Sequence, residues 1–325
     1  MIARRTLLAA GLSTGLAAPL LPAQAQANWP QRPVRLLLAF APGGGTDLIA
    51  RTLGGAMTPV LGQPLVVENR PGAGGNLATE AVASARPDGY TLLMGNHGPM
   101  SVNVSLFRNM RINPETALEP IGLVADAPLV VVVGPSSKAT TLPELLAEIR
   151  AGDGNLNYAS ASNGSASHLA AALMLQTAGL PAEHVPFRGS APALTDVVAG
   201  HLHFMITTLP SVVGLMSSNA VRPLAVTGGA RMTLFPDIPT VAETIPTYKA
   251  TAWYGILAPK GTPEPIRARI FAAMREALSN ADVVRRLREE GAEPSTLDGP
   301  GFAELIRWER ERWAVVVRQA GITVD

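Results

Sequence analysis

The chain has 325 residues, 26 Lys and Arg against 25 Asp and Glu, a net charge of +1, and no cysteine. The charge balance argues against a nucleic-acid partner held on a basic face. The missing cysteines exclude disulfides and thiolate metal sites, which permits an oxidising compartment without requiring one.

The first residues read as an export signal. Arg4 and Arg5 precede an uncharged, apolar stretch from Thr6 to Leu21, and Ala23-Gln24-Ala25 and Ala25-Gln26-Ala27 both fit a signal-peptidase site. Cleavage before Asn28 makes residues 1–27 the signal peptide. The stretch falls short of the roughly 20 residues of a membrane span. Paired arginines suit Sec and twin-arginine export alike, and no cysteine follows to carry a lipid. The remainder, about 300 residues, is enough for one large or two medium domains.

Val34 to Phe40 reads as a buried strand, followed by a glycine loop and a helix from Asp47 to about Leu61. Leu65 to Glu68 is a second strand, Asn76 to Ala85 a helix, and Tyr90 to Met94 a third strand. The pattern restarts with a strand at Leu129 to Val133 and a helix at Leu142 to Ala151. Strand Leu156 to Ala159, helix His168 to Ala178, strand His184 to Phe187 and helix Ala191 to Ala199 follow. Leu202 to Thr207 and Arg222 to Thr227 are further strands. This is β-loop-α repetition, the mark of a mostly parallel sheet covered by helices. Thr251 to Ala258 is strand-like, and helices are expected at Pro263 to Asn280, Ala281 to Glu290 and Phe302 to Gln319. Those helices need a sheet, and the first lobe is the one short of cover. The expected layout is α/β, with lobe 1 from 28–125 and 251–325, lobe 2 from 126–250, a two-stranded hinge, and a ligand cleft between the lobes.

Three strand-to-helix loops could hold a ligand. Ala41-Pro42-Gly43-Gly44-Gly45-Thr46-Asp47 brings backbone amides to a helix N-terminus, which carries about half a positive charge and suits an anion such as a carboxylate. Thr46 or Asp47 would cap that helix. Ser160 to His168 places hydroxyls and an amide, including Ser160, Asn163, Gly164 and Ser165, at a second helix start. Arg188-Gly189-Ser190-Ala191-Pro192 is the third. The segment with His97 and Ser101 closes the third strand. Loops at strand carboxyl ends share one crevice in open α/β sheets. The dinucleotide fingerprint fails, because Leu48 and Leu77 stand where its last glycine belongs, and neither glycine loop has the P-loop lysine.

Catalytic sets are missing. No G-x-S-x-G elbow occurs in the mature chain; Ser165 lies in Gly164-Ser165-Ala166-Ser167-His168. His201 and His203 share a face of an expected strand but read as a polar pair. The charged run Arg307 to Arg312, interleaved with Trp308 and Trp313, reads as an amphipathic helix with a solvated polar face. No cofactor or metal is expected.

In order along the chain, Phe40-Ala41-Pro42-Gly43-Gly44-Gly45-Thr46-Asp47, Val67 to Gly75, Pro87-Asp88-Gly89-Tyr90-Thr91-Leu92, Leu156 to His168, Gly189 to Asp196, Pro236 to Thr240 and Ala258 to Pro263 resemble the Bug family of periplasmic solute receptors. These are also known as TctC-type components of tripartite tricarboxylate transport. The resemblance covers nearly the whole mature chain. It implies a type II periplasmic-binding-protein fold and a periplasmic monomer. It also implies a small carboxylate bound without chemistry, for a membrane permease or a sensor. It assigns ligand contact to Gly43, Gly44, Gly45, Thr46 and Asp47; to Gly74, Gly75 and Asn76; to Ser160, Asn163, Gly164, Ser165 and His168; and to Gly189, Ser190 and Ala191. His97 and Thr207 join them as candidates. The family often has an acid late in the strand Leu202 to Thr207, where this chain has Thr207 and Thr208. The expected ligand is therefore not an amino acid but a carboxylate with an uncharged tail, or an aromatic or dicarboxylic acid. The alternative reading is an exported α/β hydrolase or esterase.

Overall fold

A computed structural model of the chain describes residues 29–319. The expected signal peptide lies outside the described residues. Lobe 1 opens with β1 (Val34–Leu38), whose apolar residues are almost wholly buried, as a strand covered on both faces must be. Then come α1 (Gly45–Leu61), β2 (Leu65–Asn69), α2 (Asn76–Ala83) and β3 (Thr91–Asn96). β1 pairs in parallel with both β2 and β3. A π-helical turn at Gly98–Val102 and the short α3 (Asn103–Leu106) and α4 (Pro114–Ala117) lead to β4 (Leu118–Val133).

β4 belongs to both lobes. Its residues Leu118 to Pro128 pair antiparallel with β9 (Thr251–Pro259), and Leu129 to Val133 pair with β7 (Phe204–Thr208) and β8 (Arg222–Val226). Only Leu129 to Val133 was expected as strand, because Pro120, Gly122 and Pro128 break the apolar pattern before it. The ladder absorbs that break with register shifts between Pro120 and Gly122 and between Leu123 and Ala125. The outward crossing accordingly falls at Pro128–Leu129 rather than near Ala125. Thr227 ties the outward and return segments together: its Oγ accepts from the Leu129 amide at 2.8 Å, and its carbonyl accepts from the Ala250 amide at 3.2 Å.

Lobe 2 contains α5 (Leu142–Gly152), β5 (Asn157–Ser160), α6 (Ala166–Ala178), β6 (Glu183–Pro186), α7 (Ser190–Val198), β7, α8 (Leu209–Ser217) and β8. β5 pairs in parallel with β6 and β7. The main strand order across the molecule is β2-β1-β3-β9-β4-β7-β5-β6. His201 and His203 precede β7 rather than sharing a strand face. His203 Nδ1 is 2.9 Å from Asn157 Oδ1, and His201 stays exposed near Asp196.

The tail comprises α9 (Glu264–Ser279), α10 (Ala281–Glu289), the two-residue β10 (Glu293–Pro294) and α11 (Gly299–Gln319). α9 and α10 bury Ile266, Ile270, Met274, Val283 and Leu287 in the core that holds Leu53 and Met57 of α1. α11 corrects the expected assignment of the whole tail to lobe 1. Phe302 and Ile306 pack with Trp253 and Leu257 of lobe 1, while Trp313 and Val317 join a cluster with Leu129, Phe204 and Tyr248 of lobe 2. The helix therefore straps the hinge. Its polar face is not wholly solvated: Trp308 is exposed, but Glu309 is buried.

Lobe 2 also stacks a buried histidine on a half-buried one. The His168 and His184 rings stack at 3.8 Å, with Tyr158 5.0 Å from His184. Burial, and for His168 also the charge that would form on His184, lowers the pKa values to about 3 for His168 and about 4 for His184, from 6.5.

Two outcomes follow from this packing. Phe302 is fully buried, with its ring 5.2 Å from Trp253 in an edge-on contact, so Phe302→Ala should cost about 3–5 kcal/mol, read as a lower urea midpoint. Between pH 6.5 and 4 the unfolded chain binds protons that folded His168 and His184 refuse. Stability is therefore full above 6.5 and falls as pH drops below it, by up to about 1.4 kcal/mol per pH unit per histidine. Thermal melts across that range should show the decline, and His184→Gln should make it shallower, since His168 and His97 stay lowered to about 3.

Candidate functional site

The amides at the start of a helix have no carbonyl one turn earlier to bond. Here the starts of α1, α6 and α7 reach one small cavity between the lobes, walled in part by Gly44, Gly45, Thr46, Ser165, Ala166, Ser167 and Ser190. The amides of Gly44, Thr46, Ala166, Ser167, Ser190 and Ala191 find no acceptor among the described residues. Phe40, Asn96, His97, Ala161, Thr207, Thr208, Ala252 and Tyr254 complete the wall. No Lys, Arg, Asp or Glu stands among these lining residues.

The glycine loop owes its shape to Asp47. Its carboxylate accepts from the Gly43 amide at 3.1 Å, from Arg51 Nε at 3.0 Å and from Asn69 Nδ2 at 3.1 Å. Burial opposes ionisation of Asp47, but these bonds prevail and hold its carboxyl below the usual range. Gly43 and Asp47 therefore shape the loop and do not line the cavity. The cap position of α1 is Gly44, not Thr46 or Asp47. Gly45 must be glycine for close approach, because an added Cβ would lie 2.5 Å from Thr208 Oγ1. Its amide donates across the cleft to Ser211 Oγ at 2.8 Å, and the Ala41 amide donates to the Arg188 carbonyl at 2.9 Å.

The second loop divides its work. Ser165 Oγ caps α6, accepting from the His168 amide, and donates to the Ser162 carbonyl at 2.8 Å. Ser160 is sealed beneath the wall, its Oγ 2.6 Å from His184 Nε2 and 3.1 Å from the Ser162 carbonyl. His168 Nδ1 accepts from the Gly164 amide at 3.1 Å. Ser160, Asn163, Gly164 and His168 are thus not lining residues. Asn163 and Gly164 instead meet lobe 1: a Cβ on Gly74 would lie 3.0 Å from the Asn163 carbonyl, and one on Gly164 2.4 Å from Asn103 Oδ1. Gly74, Gly75 and Asn76 belong to this second seam, where Asn103 Nδ2 donates to Asn76 Oδ1 at 2.7 Å. Gly189 passes against Ala41, and Ala191 faces Gly43. Among the candidates Gly44, Gly45, Thr46, His97, Ser165, Ser190 and Thr207 reach the wall.

Ser167 and Thr208 lie in segments already read as facing a ligand, whereas Asn96 and Tyr254 were not singled out. Asn96 ends a strand and Tyr254 lies within one, and no local motif marks either as facing a cleft. The Tyr254 hydroxyl is pushed up to about 12 by burial against a smaller lowering by Thr208, so it stays a neutral donor. Burial, with Arg312 adding to it, lowers His97 to about 3. Its ring nitrogens, Asn96 Nδ2 and Thr207 Oγ1 are buried without hydrogen-bond partners.

The cavity holds about 40 Å³, space for only a water or two, so the lobes stand closed. A larger hollow of about 650 Å³ lies in lobe 1 between α9, α11 and the start of β4. Of its four cations, Lys260 and Arg267 pair with Glu119, at 2.8 and 3.2 Å, and Arg310 with Glu115, while Arg307 is the fourth. No residue group among those described could hold a metal ion.

Comparison with known proteins agrees with this geometry. Residues 49–322 match the family described as the tripartite tricarboxylate transporter family receptor. Protein BugT of Bordetella pertussis is 36% identical over 311 residues, spanning 95% of this chain and 94% of that one. The structure of Rpa4515 of R. palustris with adipate superposes with a TM-score of 0.89 at 33% identity, covering 91% of this chain and 99% of that chain. MatC (Rpa3494) from Rhodopseudomonas palustris with bound malate gives 0.85 at 34% identity, covering 89% and 100%. The expected two-lobed periplasmic-binding fold is thereby shown. A cleft walled by helix starts and devoid of a catalytic set is what a receptor needs, and this chain belongs to the TctC-type, or Bug, family of solute-binding receptors.

Proposed function

We propose that the chain is an exported periplasmic receptor that closes its lobes on a small carboxylate and presents it to a membrane partner, a permease or a sensor. One observation carries the reading: the starts of α1, α6 and α7 offer unbonded amides to one cavity whose wall holds no Lys or Arg. Each helix start contributes about half a positive charge, so a carboxylate gains charge-assisted hydrogen bonds there. A second carboxylate can sit at another helix start, which fits both monoacids and diacids. The adipate and malate bound by the relatives are of this chemistry.

An amino acid fits less well. Its ammonium needs a buried counter-charge, and the wall supplies neither Asp nor Glu, with Thr207 and Thr208 at the end of β7. A desolvated ammonium without a partner is strongly disfavoured. Hydrolysis is disfavoured by the same geometry: Ser165 Oγ is spent on the α6 cap, and Ser160 faces a histidine whose pKa burial lowers to about 4.

Gly44 has extended φ and ψ of −89° and 170°, which valine accepts, and an added Cβ would make ordinary contact with Ser190 at 3.7 Å. Gly44→Val should fold normally while placing its methyl groups between the Gly44 and Ser190 amides. Calorimetry with adipate and malate should show binding weakened more than about a hundredfold, roughly 2.7 kcal/mol, with an unchanged melting temperature. Unchanged affinity would mean that the carboxylate sits elsewhere. Aspartate and glutamate should bind the wild-type protein weakly beside these diacids; the reverse order would sink the preference for amine-free acids.

A further inference from the structure

The cleft wall is rich in donors. The free amides, Asn96 Nδ2 and the hydroxyls of Thr207 and Tyr254 all suit an acceptor on the solute. His97 is the one group whose role depends on which ring nitrogen carries the proton. It follows β3, is 1% exposed, and forms part of the wall.

The surroundings decide that proton. His97 Nδ1 lies 3.3 Å from Glu309 Oε2. That same oxygen accepts from Trp313 Nε1 at 2.5 Å, and Arg312 Nη1 is 3.4 Å from Oε1. The indole can only donate, so Oε2 must be an acceptor; burial raises the Glu309 carboxyl above its usual range against the smaller opposing pull of Trp313 and Arg312, and a proton taken there sits on Oε1, leaving Oε2 to face the ring. A lone pair on Nδ1 would face a carboxylate oxygen and repel it; an N–H there is attracted. The ring is walled by Trp313, edge-on at 5.0 Å, and by Trp253 at 6.1 Å. Neither indole nitrogen bonds it, and both ring nitrogens are buried without a hydrogen-bond partner among the described residues, Nδ1 meeting Glu309 Oε2 as a close charge contact and not as an aligned hydrogen bond.

We propose that Glu309 is a positioning residue that fixes His97 in its Nδ1–H tautomer, so that Nε2 offers the cleft an acceptor and the receptor favours carboxylates that carry a hydroxyl. The preference rests on the carboxylate reading of the cleft. A solute hydroxyl donates to Nε2 while its oxygen accepts from Asn96 or Thr207. An unsubstituted acid satisfies the donors but leaves Nε2 bare, and a buried acceptor without a partner is costly.

Two measurements test this. In ¹⁵N-labelled protein, the His97 ring signals are picked out from the five histidines by their loss in His97→Gln. Ligand-free protein should show Nδ1 protonated and Nε2 bare; a protonated Nε2 overturns the proposal. Calorimetry then compares malate with succinate and lactate with propionate, pairs that differ by one hydroxyl. The hydroxylated member should bind about tenfold tighter, and Glu309→Gln should bring the ratio to about one while mixing the two tautomers. Equal affinities in the wild type, or a preference that survives Glu309→Gln, overturn it. If none of the four acids binds, the hydroxyl preference falls together with the carboxylate reading, and the ring-nitrogen signals still tell that outcome from failure of the tautomer.

Discussion

Backbone amides at the start of a helix must find an acceptor, and in this protein those of α1, α6 and α7 face one another across a cleft that supplies few. Much of the rest of the molecule holds them there. Asp47, bonded to Gly43, Arg51 and Asn69, keeps the first loop in shape. Ser165 caps α6 from within, leaving the Ala166 and Ser167 amides to the cavity. The wall's electrostatics thus come from peptide dipoles and not from mobile charged side chains, which gives a fixed positive potential at little reorganisation cost.

Two halves must carry these helix starts and still part to admit a solute. β4 solves this by running through both, with Thr227 stapling the outward and return crossings. Close approach depends on glycine where the lobes meet. At Gly45 and Gly164 a Cβ would strike Thr208 and Asn103, so the seams close only because no side chain stands there. α11 lies along both lobes, with Phe302 packed in one and Trp313 in the other.

That helix also reaches the chemistry of the cleft. Glu309 comes from the strap and His97 from the end of β3, so the wall's polar character is set partly by a helix outside it. On the proposed tautomer, a change at Glu309 would alter recognition without touching the solute.

Much of this was legible from residue order. Alternating apolar runs announced an α/β chain, and glycines beside a helix start announced a loop with free backbone amides, because both depend on local spacing and backbone freedom. The absence of a lysine or a hydrolase elbow in those loops was equally local. Tertiary structure decided the rest. Whether Leu118 to Pro128 is strand depended on β9 pairing with it despite two prolines and a glycine, a contact made from residues far along the chain. Asn76, Asn163, Gly164 and His168 lie beside helix starts as Ser165 does, yet they serve the inter-lobe seam or the lobe 2 core, because which face of a loop meets the cleft is fixed by how the lobes dock. Glu309 looked like part of a solvated face, and only packing against His97 and Trp313 buries it. Sequence by itself determined where backbone amides could be left free; only the fold decided which of them share a cavity, since that requires distant segments to be brought within a few ångströms.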